Sequence, residues 1–151
     1  TVLYPGVVDA LARLEAAGHP MGLCTNKPGE PTRIALRHFG LDRFMQAVAS
    51  ADTLPERKPD PAPLHHVARA LGDGTALYIG DSEVDAETAR RAGLPFALYT
   101  EGYRKTPISE LYHTYLFDHF DQLPDLVARH GIFAQNVLLL LRHHRVCPKN
   151  H

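Results

Sequence analysis

Two carboxylates four residues apart, Asp81 and Asp85, follow a short apolar run from Ala76 to Ile79. The run reads as a buried strand, and Gly80 as the residue that lets the chain turn sharply behind it. Asp81 then stands where a parallel strand ends, the edge at which open α/β sheets bind their ligands. Asp85 falls at the start of the next helix. Carboxylates so placed suit a hard cation such as Mg2+, which takes oxygen ligands. Asp81 and Glu83 could equally do no more than cap and charge a helix N-terminus. The rest of the chain has to decide.

Two other loops bring matching chemistry. A buried strand is expected at Met21 to Thr25, followed by Asn26-Lys27-Pro28-Gly29-Glu30, dense in turn residues. A run of small apolar residues, Ala47 to Ala51, precedes a loop from Asp52 to Pro63 that carries four prolines and Lys58. In a parallel sheet the loops after these strands share one edge with Asp81. Together they offer a hydroxyl (Thr25), backbone amides around Asn26, an ammonium (Lys58) and the carboxylate pair. Hydroxyl and amides can bond phosphate oxygens, the ammonium offsets their charge, and Mg2+ can bridge carboxylate to phosphate. Singly, Thr25 could end a strand, Asn26 could form a side-chain turn and Lys58 could be a solvated charge. Their joint order at three strand ends favours a phosphate site.

The elements that must hold these loops alternate along the chain. Helices are expected at Pro5 to Ala17, with Val7, Val8, Leu11 and Leu14 on one face, and at Pro31 to Phe39, carrying Ile34, Leu36 and Phe39. Further helices are expected at Pro61 to Leu71, Val84 to Ala92 and Leu123 to His130, and further strands at Phe96 to Thr100 and Tyr115 to Phe117. This alternation predicts an α/β fold, a Rossmann-like parallel sheet with helices on both faces.

The 151 residues suffice for one domain with its own core, at 44% apolar and 22% charged residues. A formal net charge of −1 gives no pull toward nucleic acid or an anionic membrane. The longest apolar run, Val137 to Leu141, is too short to span a bilayer, and no signal peptide is visible. Two cysteines make no disulfide framework. Cys24, in an apolar run, reads as a buried reduced thiol, which suits a cytoplasmic location. The chain does not open on Met, and the expectation is that its true N-terminus lies further upstream. Residues 1–130 read as one partial α/β core. Residues 131–151 read as an atypical, disordered or adventitious tail that fits no element of that core. His143, His144, Cys147 and His151 lack a standard zinc spacing.

The order Leu23-Cys24-Thr25-Asn26-Lys27-Pro28, Arg57-Lys58-Pro59-Asp60-Pro61 and Tyr78-Ile79-Gly80-Asp81-Ser82 with Asp85 resembles the haloacid dehalogenase superfamily of phosphohydrolases. Within it the chain is most similar to the phosphoglycolate phosphatase branch, through the forms around Lys27 and Lys58, the run Ala89 to Gly93, and Gly102-Tyr103. The resemblance covers about Tyr4 to His130. It implies a Mg2+-dependent phosphomonoester hydrolase acting on a small phosphorylated metabolite such as 2-phosphoglycolate. Thr25 would hold the transferring phosphoryl group with help from the Asn26 backbone, and Lys58 would neutralise its charge. Asp81 would bind Mg2+, and Asp85 would order the metal shell or the lysine.

One departure is large. The family's nucleophile and general acid/base are two aspartates in a D-x-D-G-T motif, on a strand upstream of a helical cap, and this sequence holds neither motif nor cap. Its one D-G-T, Asp73-Gly74-Thr75, has Leu71 two positions before Asp73 and is a decoy. The chain alone is therefore expected to be inactive. By resemblance the missing strand belongs between the Met21 and Ala76 strands, and its loss would leave two half-sheets with unpaired apolar edges. The expectation is that the chain folds poorly, pairs those two strands directly, or associates with another chain. Two alternatives remain open: a non-catalytic phosphate-binding pseudoenzyme, and another branch of the superfamily such as a sugar-phosphate mutase.

Overall fold

Helix and strand alternate from Val7 to Tyr99 in the computed structural model, which describes residues 3–72, 75–102, 104–130 and 136–139. The elements are α1 (Val7–Ala16), β1 (Met21–Cys24), α2 (Gly29–His38), β2 (Ala47–Ala49), α3 (Ala62–Leu71), β3 (Ala76–Gly80), α4 (Glu83–Ala92), β4 (Phe96–Tyr99), β5 (Tyr115–Phe117), α5 (Leu123–His130) and β6 (Asn136–Leu139). Each lies within three residues of its expected bounds save β6, which was not expected. Pro5 stands in the turn before α1 rather than inside it.

The six strands form one sheet in the order β2-β1-β6-β3-β4-β5, every pairing parallel. β1, β3 and β4 are buried at every residue, as strands covered on both faces must be. Alternation along each strand sorts their side chains. Met21 and Leu23 of β1 and Leu77 and Ile79 of β3 join Leu11 and Leu14 of α1 and Val127 of α5 on one face. Cys24, Tyr78, Phe96 and Leu98 join Leu64 and Val67 of α3 and Ala89 of α4 on the other. All parallel strands point the same way, so the loops after β1, β2 and β3 do share one edge.

Three expectations are corrected. Ile34 is 61% exposed, because α2 buries Thr32 and Leu36, and a residue two positions from each faces the opposite side. Val8 is exposed too, one step off the buried line of Val7, Leu11 and Leu14. The largest correction concerns the sheet. β1 and β3 do not pair directly; β6 lies between them, with Leu139 opposite both Leu23 and Ile79. The segment after Gly131 thus does enter the fold at Asn136–Leu139. The physical reason is that two flanking strand edges leave backbone N–H and C=O groups that a third extended chain satisfies. The remainder of 131–151, with His143, His144, Cys147 and His151, lies outside the described residues, as do Asp73, Gly74 and Tyr103.

Candidate active site

The junction of β3 and α4 is built around Asp85. Ser82 caps α4: its hydroxyl accepts from the Asp85 N–H at 3.2 Å, and Asp85 Oδ2 accepts from the N–H groups of Ser82 (3.2 Å) and Asp81 (3.1 Å). This is a reciprocal capping box. Ser82, rather than Asp81 or Glu83, is therefore the cap. Gly80 matters differently from the expected turn. It is still strand, and a Cβ there would sit 2.7 Å from the Cβ and Oδ2 of Asp85. The absence of a side chain lets the capping carboxylate lie against the strand.

Lys58 reaches the same carboxylate from the loop after β2. Its Nζ donates to Asp85 Oδ1 at 2.9 Å and to the Tyr78 hydroxyl at 3.2 Å. The Tyr78 hydroxyl in turn donates to Asp85 Oδ1 at 3.3 Å. Lys58 is 6% exposed and Asp85 0%, so the lysine is not a solvated surface charge. Burial first, then the neighbouring Asp85 carboxylate, pushes the Tyr78 hydroxyl well above its ordinary pKa and keeps it protonated. The Asn26 side chain locks two loops together: its amide donates to the Lys58 carbonyl at 3.1 Å and its Oδ1 accepts from the Lys58 N–H at 3.0 Å. Thr25 is half-buried at the end of β1, its hydroxyl accepting from the Lys27 N–H at 3.1 Å. Neighbouring Cys24 is a buried free thiol raised to about 11, chiefly by burial, with Lys58 pulling it down and Asp85 pushing it up.

Asp81 is 3% exposed and accepts at Oδ2 from the Tyr4 hydroxyl at 2.6 Å. Tyr4 is held by ring contacts with Tyr99 (4.6 Å between centroids) and Phe120 (6.2 Å). Gly102 closes the other side, where a Cβ would stand 2.6 Å from the Asp81 Cβ. Sequence reasoning gave neither tyrosine a role. Tyr78 had a signal, a polar tip inside an otherwise aliphatic strand that would need a partner. Tyr4 had none, since its contact spans 77 positions.

Among the described residues no three His, Cys, Asp or Glu side chains gather as a metal cage. That donor set does not suit a structural transition-metal site. It does suit Mg2+, which is commonly held by one or two carboxylates plus water and substrate phosphate. Asp85 could coordinate directly only by giving up bonds from Lys58, Tyr78 and two backbone N–H groups.

The haloacid dehalogenase-like hydrolase profile matches residues 1–99. A phosphoglycolate phosphatase of Cereibacter sphaeroides is 54% identical over 129 residues, covering 85% of this chain and 59% of its own length. A phosphoglycolate phosphatase of Rhodospirillum rubrum is 42% identical over 125 residues, covering 82% and 52%. The chain thus spans between half and three fifths of the length of these curated relatives. Among solved structures, a predicted phosphoglycolate phosphatase from Haemophilus somnus superimposes with a TM-score of 0.77 at 31% identity, covering 82% of this chain and 56% of that one. CbbY from Rhodobacter sphaeroides, solved in complex with phosphate, gives 0.68 at 25% identity, covering 81% and 56%.

Proposed function

The chain belongs to the haloacid dehalogenase-like hydrolases, and on that premise we propose that it carries the phosphate- and cation-binding part of a phosphomonoester hydrolase of the phosphoglycolate phosphatase kind. The observation that carries the reading is the buried Lys58–Asp85–Tyr78 cluster beside Asp81, at the sheet edge shared with Thr25. Fixed charges and dipoles of this type stabilise a transferring phosphoryl group without reorganising.

Each residue then has a role. Lys58 offsets the negative charge of the phosphoryl oxygens. Asp85 orders Lys58 and leaves direct coordination to Asp81. Thr25 and the backbone amides after it bond the phosphoryl oxygens. Asn26 fixes the Lys58 loop against the Thr25 loop. A bound Mg2+ would supply charge neutralisation between Asp81 and the phosphate. The sequence holds no D-x-D-G-T, so the nucleophilic carboxylate has to come from another segment, and the chain by itself does not turn over substrate. A small phosphorylated metabolite such as 2-phosphoglycolate is the proposed substrate of the complete site.

Calorimetric titration with Mg2+ and inorganic phosphate, beside an assay with 2-phosphoglycolate, tests this. Phosphate is expected to bind in the presence of Mg2+, to weaken about tenfold or more in Asp81→Asn, and to give no turnover. Absence of binding to either ion removes the reading. Mg2+-dependent phosphatase activity that survives purification and disappears in Asp81→Ala refutes the inactivity of the isolated chain.

A further inference from the structure

The side chain of Asp81 is aimed by a residue far from it in sequence. The Tyr4 hydroxyl donates to Asp81 Oδ2 at 2.6 Å, the length of a charge-assisted bond from hydroxyl to carboxylate. Tyr4 lies in the turn before α1, where its carbonyl accepts from the Val7 N–H at 3.4 Å and Gly6 reverses the chain at a φ of 83°. Its ring rests on Tyr99, at the end of β4, and on Phe120. Those two rings are 4.8 Å apart, and each packs on Phe117 of β5, at 5.4 and 5.2 Å between centroids. Tyr99, Phe117 and Phe120 are all buried. The phenol is therefore held by packed rings of the sheet and its covering segments, the kind of support that keeps a site residue in one geometry. Gly102 closes on the Cβ of the same aspartate. A hydroxyl on one oxygen and backbone against the Cβ leave the Asp81 carboxylate little freedom to turn. Phenylalanine at position 4 would make the same ring contacts, so packing alone does not call for the hydroxyl.

Fixed orientation does not serve all cations equally. Mg2+ demands near-ideal octahedral geometry at short distances, whereas Ca2+ accepts more oxygen ligands in flexible arrangements. A carboxylate held in one orientation favours the stricter ion, and a carboxylate able to swing loses Mg2+ first. Resting on the reading above that Asp81 takes the cation, we infer that Tyr4 is a positioning residue of the cation site. Its hydroxyl fixes the Asp81 carboxylate, and that fixing makes the site discriminate for Mg2+ against Ca2+. Tyr4 touches neither phosphate nor cation in this role; it acts through Asp81.

The test is calorimetric titration of the full chain, of Tyr4→Phe and of Asp81→Asn with Mg2+ and, separately, with Ca2+. Losing a group that orients a metal ligand typically weakens the metal about tenfold or more. Tyr4→Phe should accordingly weaken Mg2+ by about tenfold and Ca2+ by no more than about threefold, so that discrimination between the ions falls. A merely structural loss would weaken both ions alike; equal losses, or none, overturn the proposal. Should Tyr4→Phe fail to fold, fluorine resonance of the parent chain labelled at Tyr4 with fluorotyrosine reads the same contact. That resonance should move when Mg2+ is added and stay in place when Mg2+ is added to the labelled Asp81→Asn chain. A resonance unmoved at saturating Mg2+, or moved equally in both chains, overturns the role of Tyr4. The two readings fail differently. No Mg2+ binding by the parent chain, or binding unchanged in Asp81→Asn, removes the cation reading and this inference with it. Binding lost in Asp81→Asn but with unchanged discrimination in Tyr4→Phe overturns the role of Tyr4 and leaves the cation reading standing.

Discussion

At the scale of single residues, the site depends on a buried charge pair that neither partner can lose alone. Removing one member of a buried pair strands the other and typically costs about 3–5 kcal/mol. Asp85→Ala should therefore destabilise the chain by about that much in urea unfolding, since Lys58 at 6% exposure has little access to water. The double substitution Lys58→Met with Asp85→Leu should cost less than Asp85→Ala alone, because no charge is left stranded. Additive losses in that cycle would show that the pair is not the unit it appears in the geometry. Glu83 gives a pH signature. Its Oε1 accepts from the N–H groups of Lys105 and Thr106, each at 2.7 Å. Partial burial pushes its pKa up, but those backbone bonds outweigh it and hold the carboxyl down from 4.5 to about 2. A folded-state value below the unfolded one adds stability that is full above pH 4.5 and disappears as pH falls through 2. Glu83→Gln should accordingly cost roughly 0.5–1 kcal/mol at pH 7 and progressively less as pH falls toward and through 2. A gap that stays constant between pH 7 and 2 would contradict the assignment.

At the scale of elements, two glycines set how closely backbone and carboxylate approach. Gly80→Ala drives a methyl to 2.7 Å from the Asp85 carboxylate and must displace either β3 or the cap of α4. A loss of about 1–3 kcal/mol is expected, the cost of overpacking a well-filled site. Gly102→Ala meets Asp81 at 2.6 Å from a loop rather than from a central strand. It should weaken Mg2+ binding several-fold with a smaller effect on thermal unfolding. If the two variants lose stability equally and keep Mg2+ affinity, Gly102 has no part in placing Asp81.

At the scale of the whole molecule, the clusters on both faces cross from one half of the sheet to the other. Unfolding should consequently be a single cooperative transition. Far-ultraviolet circular dichroism and tyrosine fluorescence, the chain having six tyrosines and no tryptophan, should give coincident curves. Separate transitions would mean that β1-β2 and β3-β4-β5 fold as independent units.

The sequence by itself determined the alternation of elements, the parallel sheet and the edge on which Thr25, Lys58 and Asp81 fall. These follow from local apolar period and turn chemistry, which neighbouring residues set among themselves. It also determined the family, because the three motifs are each contiguous. Only the tertiary structure decided that Lys58 is buried against Asp85, that Tyr4 bonds Asp81, and that Gly80 is needed for close approach. Each of those is a contact between distant positions, and no local pattern records it. The place of Asn136–Leu139 was the hardest to read. Five apolar residues near the chain end carry no period that separates a tail from a strand. What makes them a strand is the pair of backbone edges waiting on either side, and those edges exist only once β1 and β3 are set apart by the packed helices.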